Sequence, residues 1–282
     1  MNRKILVTGS GGQLGSELQK VISKEDAEFV FTNSKDLDIT NASEINEVFG
    51  KYKFTHCINC AAYTNVEKAE TEPDIAFQVN ANGVKQVAEA CKEFRVFLIH
   101  LSTDFVFNGK ADRPYKPGDE TAPLNKYGAS KLKGEILSLE TNPRTAIVRT
   151  SWLYNKTGKN FVNAILSKLT RDEPLRVVDD QFGSPTFAGD LASAIIRMTR
   201  QPAFVPGIFH YSNKGKISWF QFAEAIRDLS GSNKEIIPVS SSEFITKAKR
   251  PPYSELDCSR IMEEYKIEQL DWRESLVRCL MS

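Results

Sequence analysis

"KILVTGSGGQLGSEL", residues 4–18, decides the fold. Its opening, residues 4–9, is a short apolar run that reads as a strand. From Gln13 the pattern turns helical and predicts a helix over 13–23. Gly9, Gly12 and Gly15 lie between the two in the spacing G-x-x-G-x-x-G. Glycines there allow a tight turn and let a pyrophosphate approach the backbone. The helix behind them offers free N–H groups and the positive end of its dipole. Glycines also simply make turns, so position carries the reading: the loop follows the first strand and opens the first helix. Gln13 and Leu14 share that turn. The spacing departs from the G-x-G-x-x-G of the standard dinucleotide fold.

Downstream, strand-like and helical runs alternate. Strands are expected at 28–32, 55–62, 96–103 and 145–152. Helices are expected at 41–52, with Asn41 as N-cap, at 73–94, with Pro73 in the first turn, and at 124–140. The strands are nearly continuous in apolar residues, as a parallel sheet buried on both faces requires. The fold class is therefore α/β, a doubly wound parallel sheet of Rossmann type, with ligands expected at the carboxyl ends of the strands. After about residue 155 the pattern loosens. A Gly/Pro-containing loop (179–190) leads into a helix, a strand follows at 207–213, an amphipathic helix at 218–231, and a proline-interrupted loop at 247–260. Residues 1–155 are expected to bind a dinucleotide, with parts of later segments returning to that domain. Residues 156–282 are expected to form mainly a smaller substrate-binding lobe.

Composition removes whole classes of function. Lys plus Arg number 37 and Asp plus Glu 36, so no net field favours nucleic acid or a membrane surface. No apolar run is long enough to span a bilayer, and the start lacks a signal-peptide core, which points to the cytoplasm. The five cysteines are scattered and odd in number, which fits a reducing compartment. Cys57 and Cys60 form a C-x-x-C, but inside a strand that spacing sends them to opposite faces, away from redox or metal use. His56, His100 and His210 each sit in apolar runs and read as core or strand-end residues. No metal is expected.

Other stretches carry chemistry. The second strand ends in Thr32, Asn33, Ser34 and Lys35, where an acidic residue would favour NAD. Hydroxyls and a cation there suit a 2′-phosphate and lean the cofactor to NADPH, with NADH still open; Lys35 also reads as a solvated loop charge. Asp38 and Ile39 follow and face the adenine in this reading. Ala61, Ala62 and Tyr63 end the third strand, where small residues let a cofactor lie across. "STDFVF" (102–107) ends the fourth strand and places Thr103, with Ser102 as second candidate, where a substrate carbonyl would sit. "YGASK" (127–131) places Tyr127 and Lys131 at i and i+4, on one helix face. The free phenol has a pKa near ~10, and an ammonium beside it would lower that value. The small residues between them leave room for a cofactor. With Thr103 on the same carbonyl, this makes a general-acid site.

Taken together, the glycine loop, "STD" and "YGASK" resemble the extended short-chain dehydrogenase/reductase superfamily. "GGQLGSEL", "CAAYTNVEKAE", "STDFVF", "PLNKYGASKLKGE", "RTSWLY", "GKNFV", "DQFGSPT" and "RPPYS" resemble the dTDP-4-dehydrorhamnose reductases over nearly the whole chain. The resemblance implies hydride transfer from a nicotinamide to C4 of a dTDP-linked keto sugar, giving dTDP-L-rhamnose. It implies a catalytic triad of Thr103, Tyr127 and Lys131, with Lys131 also holding the nicotinamide ribose. It implies that Asp104, Phe105 and Trp152 border the sugar, and that Arg250 grips the sugar-nucleotide diphosphate. Core packing for Trp152 and a surface charge for Arg250 stand as alternative readings. Phe105 occupies a place where tyrosine is usual, and Asn155 one where glycine or alanine is common; both bear on sugar identity. A sugar-nucleotide dehydratase or epimerase of the same fold is the second reading; dehydratases of the superfamily carry an acid directly after "TD", and Phe105 argues against dehydration. A regulatory subunit that keeps the fold without the catalysis is the reading from another class. A homodimer is allowed.

Overall fold

The chain is described here by a computed structural model, which covers residues 3–22, 27–171, 173–201, 203–244 and 246–281. Residue 23, the last of the expected first helix, lies outside them. β1 (Lys4–Thr8) is apolar on both faces and buried at its last four positions, because strands flank it and helices cover it. The alternation continues through α1 (Gln13–Val21), β2 (Glu28–Thr32), α2 (Ala42–Lys51) and β3 (His56–Asn59). Asn41 caps α2, its side chain accepting from the amides of Ser43 and Glu44. Two short helices, α3 (Val66–Ala69) and α4 (Pro73–Phe77), lead to α5 (Val84–Glu93), then β4 (Phe97–Thr103), α6 (Lys126–Thr141) and β5 (Thr145–Thr150).

The long helix expected over 73–94 is interrupted. Residues Gln78–Gly83 form a π-helical turn with Asn80 buried inside it. That turn aims the Asn80 side chain away from its own helix: its amide donates to the Tyr63 carbonyl and to Ser130 Oγ, both at 3.0 Å, and its oxygen accepts from the Tyr63 amide at 2.8 Å. A π-turn of this kind is a frequent device near functional sites.

The remaining elements are β6 (Leu153–Tyr154), α7 (Phe161–Leu169), β7 (Leu175–Val178), β8 (Phe182–Gly183), β9 (Thr186–Phe187), α8 (Ala188–Arg200), β10 (Gly207–His210), β11 (Ile217–Ser218), α9 (Trp219–Leu229), β12 (Ile236–Val239), α10 (Ser259–Tyr265) and α11 (Trp272–Met281). The main sheet has six parallel strands in the order β10-β5-β4-β3-β1-β2. The chain returns to it late: β10 pairs with β5, and α8 packs along α1. Three two-stranded ladders, β8–β11, β7–β12 and β6–β9, serve the second region. That region has its own apolar core, with Phe222, Ile226, Val162 and Leu276 at its centre. Cys57 packs in the cluster on one sheet face and Cys60 against the cluster on the other.

Strand order reverses between β1 and β3, since β2 lies on one side of β1 and β3 on the other. Such a switch point leaves a crevice outside the carboxyl ends of the strands.

Candidate active site

A cleft of about 1010 Å³ opens at that crevice. The Gly9–Gly15 turn, Gln13 and Leu14 among it, forms one wall, together with Asp38, Ile39 and residues 61–63. Two glycines there are required by contact. Gly9 has φ +67°, and a Cβ on it would lie 2.5 Å from the Ala61 amide nitrogen; one on Gly15 would lie 2.5 Å from Ser10 Cα. Gly12 is the N-cap of α1 and offers the first amides no side chain, and the first turn has no acidic residue. A helix start left bare and facing a cleft is a place for an anion. Gln13 Oε1 is buried there without a hydrogen-bond partner. The residues present thus fit a dinucleotide pyrophosphate. Asn33 and Ser34 also line the cleft, whereas Lys35 is exposed and off its wall. The lean to a 2′-phosphate therefore rests on the amide and hydroxyl, not on the lysine, whose backbone N–H is tied down by Asn33 Oδ1 at 2.8 Å.

The opposite wall carries Thr103, Asp104, Phe105, Tyr127, Lys131 and Trp152. β4 ends at Thr103, which caps the short turn Asp104–Val106 by accepting from the Phe105 amide at 3.2 Å. α6 starts behind it, with Asn125 accepting from the Gly128 amide at 2.8 Å. Tyr127 stands in the first turn of α6 and Lys131 one turn on. The expectation that residues 128–130 leave room for a cofactor is not met. A Cβ on Gly128 would lie 2.2 Å from the Phe105 carbonyl, and Ser130 is buried against Asn80. The small residues let α6 close on the protein's own backbone.

The electrostatics also differ from the sequence expectation. Burial pushes the Tyr127 phenol up to about 12; a hydrogen bond with Thr103 pulls it down and the Asp104 carboxylate raises it. Lys131 does not lower it. Its Nζ donates instead to the Leu101 carbonyl at 2.6 Å. Burial pushes Lys131 itself down to about 8, against the pull of Glu135 and Cys60. Asp104 is pushed up to about 6 by burial, opposed by hydrogen bonds from Ser254, Thr103 and backbone amides. The site thus keeps the proton on the phenol and loosens the one on the lysine. Phe105 meets Tyr127 edge-on, ring centroids 5.7 Å apart, and makes no polar contact there.

Trp152 has φ +47°, a left-handed backbone uncommon for a bulky residue. It stacks on Trp219 with centroids 3.5 Å apart and planes 10° from parallel, so it both packs and lines the cleft. Arg250 is the site residue that the structure leaves outside. Its guanidinium pairs with Glu67 at 2.7 Å and does not reach the cleft wall. The sequence reading missed Asn80, Asn59 and the buried Glu135–Arg149 pair (2.7 Å), whose Glu135 accepts from Ser102. A single buried asparagine in a helical run carries no periodic signal. Asn155 is buried, with its amide 3.4 Å from Ser16 Oγ, and so ties the second region to α1. Among the described residues, no group of three or more His, Cys, Asp or Glu could hold a metal ion.

Comparison with known proteins adds the family. The RmlD substrate binding domain family matches residues 3–282. The chain is 40% identical to the spore coat polysaccharide biosynthesis protein SpsK of Bacillus subtilis, over 97% of this chain and 95% of that one. It is 37% identical to dTDP-4-dehydrorhamnose reductase of Aggregatibacter actinomycetemcomitans, over 97% of both. Among solved structures, it resembles dTDP-4-dehydrorhamnose reductase from Bacillus anthracis in complex with NADP, with TM-score 0.96 and 37% identity over 100% and 99% of the two chains.

Proposed function

Because this chain belongs to the RmlD substrate binding domain family, we propose that it is an NADPH-dependent reductase of a nucleotide sugar, converting dTDP-4-dehydro-L-rhamnose to dTDP-L-rhamnose. The observation that carries this reading is the meeting of a bare helix start with Thr103, Tyr127 and Lys131 on one cleft. Reduced nicotinamide, when bound, supplies a hydride.

The chain's own residues handle the rest. A phenol held at about 12 keeps its proton at neutral pH, so Tyr127 is a proton donor and not a base. As the C4 oxygen gains charge, it takes the Tyr127 proton, and Thr103 holds that oxygen in line. The Lys131 ammonium, freed from Leu101, has further N–H groups for a ribose hydroxyl and for the phenolate left behind. Asp104, Phe105 and Trp152 border the sugar. Arg250 reaches the diphosphate only by leaving Glu67. In this division residues 1–155, joined by α8 and β10, hold the dinucleotide, and the rest of 156–282 holds the sugar nucleotide. A cytoplasmic site of action and a homodimer belong to the same proposal. Among the described residues, no helix is long and apolar enough to cross a membrane.

The test is the reduced-nicotinamide absorbance of purified protein with dTDP-4-dehydro-L-rhamnose made in situ, with NADPH and NADH in parallel. Substrate-dependent loss of absorbance with NADPH, and dTDP-L-rhamnose as product, is the expected result. Cofactor binding without oxidation would overturn the assignment.

A further inference from the structure

Behind Lys131 lies a row of buried polar side chains that the chemistry above does not use. Thr8, Asn59 and His100 are partners in register across the adjacent strands β1, β3 and β4. All three are buried, His100 and Asn59 completely. Polar groups so placed in a parallel sheet are costly unless each is satisfied. Here they satisfy one another in one direction.

Thr8 Oγ1 donates to Asn59 Oδ1 at 2.6 Å, and the Ala61 amide donates to the same oxygen at 3.3 Å. An amide N–H can only donate, so the Asn59 oxygen is fixed on that side. Its Nδ2 therefore points to His100, 3.1 Å from Nδ1. Facing a donor, Nδ1 must carry a lone pair. Burial keeps the ring neutral, well below the usual histidine range; the nearby Lys131 charge adds to this, and a hydrogen bond with the Asn59 backbone opposes it without reversing it. The one ring proton is then on Nε2. Nε2 lies 3.4 Å from Lys131 Nζ.

The consequence falls on the lysine. An ammonium has no lone pair and meets Nε2–H as a second donor. A neutral amine accepts that proton in a hydrogen bond while still donating to the Leu101 carbonyl. We infer that His100, locked by Asn59 in its Nε2–H form, is a positioning residue that biases Lys131 toward the neutral amine and turns its ammonium form away from the sheet, toward the cleft. This deepens the role proposed for Lys131 and rests on it. The other titratable groups facing Lys131 are Tyr127 and Glu135 on its own helix, Cys60 after β3, and Asp104, through Tyr127, after β4. Of these, Glu135 and Cys60 favour the ammonium, so His100 opposes them.

The direct test needs no turnover, so its failure is separable from failure of the reductase assignment. The chain has three histidines, His56, His100 and His210. Nitrogen-15 labelling of their rings in the full chain, with His100→Gln to assign the signals, reads the tautomer. The expected spectrum shows His100 with protonated Nε2 and bare Nδ1, and no titration down to the acid limit of the fold. A protonated Nδ1, or an imidazolium forming near neutral pH, would overturn the inference. The kinetic arm uses the same variant. A glutamine can turn its carbonyl to Lys131, so the ammonium gains an acceptor. The alkaline limb of kcat against pH should then move up by about half a pH unit or more, while KM for the sugar nucleotide stays within about twofold. A limb that stays put or moves down would sink the role; where His100→Gln does not fold, His56→Gln and His210→Gln assign the wild-type signals by elimination, and the wild-type spectrum decides the question.

Discussion

Asp104→Asn separates what the cleft needs for stability from what it needs for substrate. Asp104 is 2% exposed, and its carboxyl is pushed from an ordinary 3.8 to about 6, first by burial. Its folded-state pKa is therefore raised. Below 3.8 the group is protonated in both states. As the pH rises through about 6, the folded protein must ionise a carboxyl that water no longer solvates, and that share of stability is lost. At ~1.4 kcal/mol per pH unit, the interval corresponds to about 3 kcal/mol. Asparagine does not titrate, so the variant escapes this loss. It also exchanges an acceptor for a donor beside Thr103 and Ser254, a cost that does not depend on pH. The informative quantity is thus the change in the difference between variant and wild type, which cancels that constant cost. Thermal melts of both full chains at about pH 4 and about pH 8 span most of that interval and should show it moving in the variant's favour by roughly 5 °C or more, given ~2–4 °C per kcal/mol for chains of this size. A difference that does not change with pH would refute the burial argument. In the assay with the sugar nucleotide, the same variant should raise KM, because the carboxylate borders the cleft.

Three further outcomes are expected. Tyr127→Phe should cut kcat by about 10²-fold or more through loss of the general acid, with NADPH affinity by fluorescence titration unchanged; wild-type turnover would remove Tyr127 from its role. Glu135→Gln strands Arg149 as a buried, unpaired cation, since both side chains are 2% exposed. It should cost about 3–5 kcal/mol by denaturant unfolding, and a loss under about 1 kcal/mol would show the pair to be dispensable. Arg250→Ala should raise KM for the sugar nucleotide with little change in stability, because its half-buried, partly solvated pairing with Glu67 contributes about 1 kcal/mol; an unchanged KM would leave Arg250 a surface charge.

The readable parts of this chain were those whose signals are local. The apolar strands, the Asn41 cap and the glycine turn each follow from residues within a few positions of one another, and the structure has them where the pattern puts them. The π-turn at Gln78–Gly83 escaped because one inserted residue barely disturbs helical periodicity, while its cause, a buried Asn80 reaching Tyr63 and Ser130, lies 17 and 50 residues away. Gly128 was read for the cofactor and instead serves the Phe105 carbonyl, a contact no spacing rule contains. Arg250 was read from the family resemblance of its motif, and its pairing with Glu67, far off in the chain, is a contact that no local pattern carries.

Tyr127 and Lys131 show the limit most clearly. The i, i+4 spacing fixes two Cβ atoms on one helix face, and that much was legible. It does not fix where a lysine with four methylenes sends its charge. That is decided by groups on the neighbouring strand, here the Leu101 carbonyl, which accepts from Nζ, and the His100 ring nitrogen 3.4 Å from it. The same sheet register that lines up Thr8, Asn59 and His100 therefore governs an electrostatic property that the helix motif alone assigns to its own two members. A lysine four residues from a tyrosine is evidence of proximity; whether it lowers the phenol depends on groups brought in by β1, β3 and β4. In this chain burial outweighs it and pushes the phenol up to about 12, which is why the proposed role for Tyr127 is that of an acid.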